Sequence, residues 1–253
     1  MMKQIKITLF VLTALVTYSC SPAYYSPSTM NLPSLEKKGD LQVSANSYVS
    51  RSDNVTILDS EGYDFNVAYS PIDKMAITAG FSDFVNTNIN ASIGTDHNNL
   101  RMGNLGVGYY TPLNDRLSWE TYLDGHFGQF KGTVTSEENN FLNRVSANTH
   151  KIGIKSGIAI KGKYTSCLVG LGLYNLNYSN IEGHAIDEIS YLRTYSSSIV
   201  REFSVTLRVG TEKIKGQYQI GRSDNKTNPN FLQTNSYQSL GLLINLNLLE
   251  DIK

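Results

Sequence analysis

The amino-acid sequence predicts an all-β fold, a closed antiparallel transmembrane β-barrel of about ten strands. Ten short stretches between Leu41 and Leu248 alternate apolar with polar residues, which is the two-residue period of a strand with one apolar face. The links between the stretches are alternately short and long, a pattern typical of outer-membrane barrels. The short links are residues 70–74, 111–116, 162–163 and 210–213, and the long links are residues 50–61, 86–99, 129–150, 175–198 and 221–235.

The first 19 residues predict a lipoprotein signal peptide. Lys3 and Lys6 precede an apolar run, residues 7–16, that is too short to span a bilayer. The run leads to Thr-Tyr-Ser-Cys at residues 17–20, which resembles a lipobox although its first two residues depart from the usual Leu-Ala/Ser. We therefore predict that Cys20 carries a diacylglyceryl group and palmitate. The alternative is an ordinary secretory signal with an incidental cysteine.

Residues 20–40 are predicted to form a lipid-anchored tether, and residues 41–253 the barrel domain. Pro22, Pro27 and Pro33 interrupt regular structure in the tether, and residues 36–40 form a polar approach to the first strand. An even number of strands places both ends of the barrel at the short-turn side. We therefore expect the N-terminus to be lipid-anchored on the periplasmic side of a cell outer membrane.

The tether also carries a resemblance. Cys-Ser-Pro-Ala-Tyr-Tyr at residues 20–25, followed by Asn-Leu-Pro-Ser-Leu-Glu-Lys-Lys-Gly-Asp at residues 31–40, resembles the start of a group of Bacteroidetes outer-membrane β-barrel lipoproteins. These have a Tyr/Pro-rich segment after the cysteine and then an Asn-x-Pro-x-Leu-x-Glu-Lys-Gly-Glu-like motif. Here Lys38 is an extra residue, and Asp40 replaces Glu. The resemblance implies a barrel and a lineage but no activity.

Composition narrows the range of partners. Lys and Arg number 22 and Asp and Glu also number 22, so the chain has no basic excess to neutralise nucleic-acid phosphates. Cys167 is the only cysteine besides Cys20, which excludes an intrachain disulfide once Cys20 is lipidated. The four histidines are scattered, and the glycines of residues 103–108 precede no helix that could make a nucleotide-binding loop. We therefore predict no cofactor and no metal.

The strands that flank each short link can be paired by register. A turn near Pro71 places Tyr69 opposite Met75, apolar against apolar, as one shared lipid face requires. The same test on the other three hairpins places Val107 opposite Thr121, Ile158 opposite Cys167, and Val205 opposite Tyr218. The last strand has Leu240, Leu242, Ile244, Leu246 and Leu248 on one face. The first strand, residues 41–49, is less apolar.

Aromatic residues favour lipid contact for the apolar face. The apolar faces place aromatics beside the short turns at Tyr69, Tyr109 and Trp119, and near the long links at Tyr63, Phe81 and Phe203. Two such girdles mark the two interfaces of a membrane. A soluble lipidated β domain, with the apolar face inward, is the alternative.

The polar face would then line the lumen, and it carries a set of charged residues. They are Asp64, Glu120, Asp124, His126, Lys155, Lys161, Glu202, Arg208 and Lys215. A barrel of about ten strands is narrow, so acids on the fifth strand should pair with bases on the sixth and leave the lumen largely plugged. Arg208 should face Lys215, with Glu212 or Glu120 as the nearby carboxylate.

Three functions fit this pattern. The first is a non-enzymatic outer-membrane scaffold or narrow porin-like channel whose partners are the lipid bilayer and, through its long links, an unspecified surface or envelope protein. The second is a lipidated lipocalin-like binder of a small ligand. The third is an omptin-like protease, for which the candidate residues would be Asp83, Asp96, His97, His126, His184 and Asp187.

Overall fold

A computed structural model describes residues 24–51, 60–90, 94–135, 142–228, 231 and 233–248. The predicted signal peptide, lipobox and Cys20 lie outside the described residues. Each strand pairs antiparallel with the next, and β1 pairs with β10 to close the barrel, which confirms the predicted fold. The strands are β1 (Asp40–Arg51), β2 (Ser60–Ile72), β3 (Met75–Asn90), β4 (Gly94–Pro112), β5 (Leu117–Thr135), β6 (Leu142–Lys161), β7 (Thr165–Gly183), β8 (Ser197–Gly210), β9 (Ile214–Asn225) and β10 (Ser236–Asn247).

A helix, α1 (Ile186–Thr194), lies between β7 and β8 in a link that was predicted as a loop. Leu192 is its buried residue. In the described part of the chain, no helix has the length and apolar character needed to cross a bilayer.

The apolar faces of the strands point outward, as predicted. Ile77 is 50% exposed, Leu123 61%, Ile154 50% and Leu242 62%. The residues that follow them, Thr78, Asp124, Lys155 and Leu243, point into the lumen and are buried. A soluble lipocalin-like domain would require the opposite arrangement, with the apolar faces at the centre, so the structure contradicts that alternative.

The predicted partner of each residue was wrong by two positions in all four hairpins, although the apolar and polar faces of the strands were assigned correctly. The observed pairs are Tyr69–Ile77, Val107–Leu123, Ile158–Val169 and Val205–Ile220. Alternation fixes only whether a residue points in or out, and the turn sets the register. Between β6 and β7, Gly162 N donates to Thr165 O at 2.7 Å, so the turn lies one residue later than predicted.

The strands also extend much further than predicted at one end of the barrel. β3 continues to Asn90 and β4 begins at Gly94, although residues 86–99 were predicted as a loop. The pairing of β3 with β4 continues because its backbone hydrogen bonds do not require apolar side chains. Polar residues such as Asn and Thr can therefore occupy both faces of the strands at this end. We call this end the loop rim and the end with the four short turns the turn rim.

A band of apolar side chains, here called the apolar belt, surrounds the barrel between the two rims. On β5 it runs from Leu117 to Phe127, which is about 25 Å along the barrel axis at about 3.3 Å per residue and a tilt of about 40°. Its edge towards the loop rim is a row of polar neighbours on adjacent strands. These are Asp83, Arg101, Gln129 and Asn148, each paired with the next.

The segment predicted as a tether lies inside the barrel. Residues 24–35, here called the plug, are buried in the lumen, except that Asn31 and Ser34 are half-buried. Tyr24 lies among loop-rim residues, whereas β1 begins at the turn rim, so the plug runs the length of the lumen. The prediction of a periplasmic N-terminus was based on a tether that stays outside the barrel. Residues 24–35 of this segment lie inside the barrel instead.

Candidate functional site: the plugged lumen

The plug is held at both ends by backbone hydrogen bonds. At the turn rim, Gly39 N donates to Ser70 O at 2.8 Å, just before β1 begins. At the loop rim, Thr234 N donates to Tyr25 O at 2.9 Å, and Tyr25 forms an isolated bridge with Gln233. The ten residue-to-residue steps from Tyr25 to Leu35 can span about 33 Å when extended, enough to cross the apolar belt.

Near the turn rim, a buried arginine binds the plug through its carbonyl groups. Arg208 donates from Nη2 to Leu32 O at 2.8 Å, from Nη1 to Pro33 O at 3.2 Å, and from Nε to Gln217 Oε1 at 2.8 Å. The predicted Arg208–Lys215 pairing was wrong because the register shift places Arg208 opposite Gln217. Of the five N–H donors of this buried guanidinium, the plug carbonyls therefore accept from two and Gln217 from a third.

Two further lumen charges also bind the plug. Glu120 Oε2 accepts hydrogen bonds from Ser34 N at 3.1 Å and from the Tyr122 hydroxyl at 2.9 Å. Lys161 Nζ donates to Ser34 O at 3.2 Å and lies 3.0 Å from Glu36 Oε1. These side chains were predicted to line the lumen, but their partners in the plug were not foreseen.

At mid-height, neutral donors surround the buried carboxylate of Asp64. It accepts from Thr29 Oγ1 at 2.6 Å, from Asn46 Nδ2 at 2.7 Å and from Asn66 Nδ2 at 2.8 Å. Three hydrogen bonds to one carboxylate offset part of the cost of burying its charge. Here too the plug supplies one of the partners.

An acid on β5 does pair with a base on β6, as expected. Asp124 Oδ2 lies 2.8 Å from Lys155 Nζ and 2.8 Å from His126 Nε2, and all three side chains are buried. Beside them lies a cavity of about 10 Å³, which Thr29 and Tyr174 help to line. This is room for about one water molecule.

Lys151, which was not among the predicted lumen residues, is 1% exposed. Its Nζ lies 3.0 Å from Glu202 Oε1 and 3.1 Å from the Tyr25 hydroxyl oxygen, and the Tyr25 hydroxyl also donates to Glu202. The Lys151 ammonium sits 4.2 Å from the centre of the Tyr174 ring. Lys151 directly follows the predicted link of residues 129–150 and has the inward parity of Lys155 on β6, so the alternation along the predicted strand already places it in the lumen.

The loop-rim mouth is closed by aromatic side chains, here called the aromatic cap. The ring of Tyr24 stacks on Tyr191 of α1 at 4.8 Å and lies 5.6 Å from Phe130. Tyr191 stacks in turn on Phe231 at 6.2 Å, and the Tyr178 hydroxyl donates to Tyr24 O at 2.8 Å. The first described residue of the plug is therefore fixed in the mouth by rings from several elements.

The turn-rim mouth is an open vestibule of about 680 Å³. The plug residues Pro33, Ser34 and Leu35 lie along it, and so does Glu36, which follows the plug. Its basic lining residues are Arg116, Lys161, Lys163, Arg208, Lys213 and Lys215, and its acidic ones are Glu36, Asp40, Asp115 and Glu212. Lys215, predicted as a lumen residue, therefore lies at this mouth.

The residues proposed for an omptin-like site lie in different places. Asp83 binds Arg101 Nε at 2.8 Å on the outer face, whereas His126 lies in the lumen on Asp124. His97 is exposed on β4, and His184 and Asp187 are exposed near α1; the Asp96 side chain lies outside the described residues. Nowhere in the described ranges do three His, Cys, Asp or Glu side chains group as they would around a metal ion.

Comparison with solved structures finds distant similarity to outer-membrane barrels. No family model and no curated protein matches the chain. The outer-membrane protease OmpT from Escherichia coli superposes with a TM-score of 0.45 and 7% identity, covering 84% of this chain and 97% of that one. The porin NanC gives a TM-score of 0.41 and 9% identity over 81% and 100% of the two chains. The attachment invasion locus protein Ail of Yersinia pestis gives 0.37 and 9% over 83% and 99%.

Proposed function

We propose that this protein is an outer-membrane β-barrel that serves as a closed, non-enzymatic scaffold for its loop-rim surface and not as a pore. The observation that carries the proposal is the plug. Residues 24–35 occupy the lumen from one rim to the other, and charged residues of the wall bind the plug backbone. Loops and rims on a rigid framework are where such folds commonly place recognition surfaces.

The apolar belt supports a membrane location. Its height of about 25 Å matches the apolar band of outer-membrane barrels, and Tyr109 and Trp119 lie at its turn-rim edge with their rings in edge contact at 6.3 Å. So large an apolar surface would drive aggregation in water. In barrels of this kind the short turns face the periplasm, so the loop rim would face outward from the cell.

The plug predicts that the purified protein is electrically silent. In a planar lipid bilayer we expect no conductance steps from the full mature chain, because residues 24–35 occupy the lumen and the cavity beside Asp124 measures about 10 Å³. A variant lacking residues 24–33 should give discrete steps, because the polar lumen wall would then face water. Heat-dependent mobility on a gel would show that the variant still folds. Steps of equal size from both proteins would contradict the closed-scaffold proposal.

Lipidation of Cys20 and the Bacteroidetes lineage belong to the same proposal and rest on the motifs of residues 17–40. We expect incorporation of an alkyne-labelled palmitate in cells to be lost in Cys20→Ser and kept in Cys167→Ser. The two variants are matched because they remove the only two cysteines of the chain. Equal labelling of both would argue for acylation elsewhere and against a lipoprotein.

A further inference from the structure

We infer that the amino end of the plug faces outward, so that the chain preceding Tyr24 leaves the barrel at the cell surface and an acyl group on Cys20 would belong to the outer leaflet. The assignment of the loop rim to the cell surface rests on the proposed function. The direction of the plug rests on contacts of described residues alone.

The order of contacts along the plug gives its direction. Ser26 Oγ lies 2.9 Å from Ser50 Oγ and accepts a hydrogen bond from Thr234 Oγ1 at 2.8 Å. Ser50 is near the loop-rim end of β1, where it pairs with Tyr237 at the start of β10. Further along the plug, Met30 N donates to Gln219 Oε1 at 2.8 Å in the middle of β9. Residue numbers within the plug therefore decrease from the turn rim to the loop rim, so its amino end lies at the loop rim.

The outward end is held firmly. The Tyr25 side chain is fully buried, and its hydroxyl lies between Lys151 and Glu202. Tyr24 packs against the other rings of the aromatic cap. Withdrawing this end into the lumen would break these contacts and leave a buried ion pair without its phenol partner, which is costly in a low-dielectric interior.

Chain length then limits where residue 20 can be. The four residues from Tyr24 back to Cys20 span at most about 14 Å. The apolar belt is about 25 Å high, so Cys20 cannot reach the periplasmic leaflet while the plug is seated. Acyl chains on Cys20 would then have to insert from the outer side, and the barrel would be anchored from its loop rim.

Cysteine pairs test the direction of the plug without reference to a membrane. In a Cys167→Ser background purified in detergent, Ser26→Cys with Ser50→Cys should form a disulfide, seen as a mobility shift that reductant removes. The matched pair, Ser26→Cys with Ser70→Cys, joins the plug to a buried serine at the turn rim and should stay reduced. Failure of the first pair in folded protein, or a disulfide in the second, would overturn the inference.

Labelling of intact cells tests the exposed end. In the same background, whose own labelling through Cys20 is the baseline, Ala23→Cys should react with a membrane-impermeant maleimide as readily as Ser190→Cys on the exposed face of α1. Asn114→Cys, in the turn between β4 and β5, should react only after the outer membrane is permeabilised. If Ala23→Cys reacts only after permeabilisation while Ser190→Cys reacts before it, the inference fails. If Ser190→Cys is protected and Asn114→Cys is not, the proposed orientation of the barrel fails instead.

Discussion

Replacing Lys151 with Met is expected to lower the free energy of unfolding by about 3–5 kcal/mol, the usual cost of removing one partner from a buried ion pair. The Lys151 ammonium lies 3.0 Å from Glu202 Oε1, and the two side chains are 1% and 5% exposed. Without the lysine, the carboxylate would keep the Tyr25 hydroxyl as a donor but would have lost its counter-charge. Urea unfolding in lipid vesicles, followed by tryptophan fluorescence and gel mobility, measures the change.

Two controls separate the buried charge from loss of side-chain volume. Lys151→Met combined with Glu202→Gln removes both charges and should restore much of the stability, because no unpaired ion remains. Arg201→Met, at the neighbouring position on β8, breaks an exposed pair with Asp224 at 3.0 Å, whose side chains are 56% and 42% exposed. It should cost less than about 1 kcal/mol. A similar loss from Arg201→Met and Lys151→Met would contradict the assignment of a buried pair.

Leu123→Arg is expected to destabilise the folded protein in bilayers by about 2–4 kcal/mol, since the residue lies midway up the apolar belt and points outward. An arginine there would place a charge among lipid tails. The same unfolding measurement in vesicles gives the change in free energy.

Gln129→Arg provides the matched control for the belt. It lies on the same strand and the same face, one outward position beyond Phe127 and in the polar row that ends the belt. The cost should fall to about 0–1 kcal/mol there. If both substitutions cost the same, the apolar surface does not face hydrocarbon, and the membrane location in the proposed function fails.

Strand identity and facing were predictable because they depend on local alternation. The outward direction of Ile77, Leu123 and Leu242 follows from the residues beside them. Because only one side of each strand is apolar, that side must be the one that faces lipid. The two-residue register errors came from turns. The position of a turn such as that between Gly162 and Thr165 depends on backbone geometry that Gly and polar residues permit at several neighbouring positions.

The plug could not be predicted from periodicity because it has none. Residues 24–35 contain Pro27 and Pro33 and belong to no strand. Their composition is therefore typical of a tether. Their partners, such as Asp64, Gln219 and Arg208, are 35 to 189 residues away in the chain and meet them only once the barrel is closed. The lumen charges were found except for Lys151, but Asp64, Glu120, Lys161 and Arg208 all bind residues of the segment that was predicted to be a tether outside the barrel.

By itself, the sequence determined that this chain forms a closed β-barrel with its apolar side outward, because a period of two and a choice of face are properties of neighbouring residues. The tertiary structure alone decided the register, the height of the wall above the apolar belt and the contents of the lumen. In the closed barrel, all ten strands line the same lumen. Buried polar side chains of the wall need hydrogen-bond partners, and the backbone and side chains of residues 24–35 supply them.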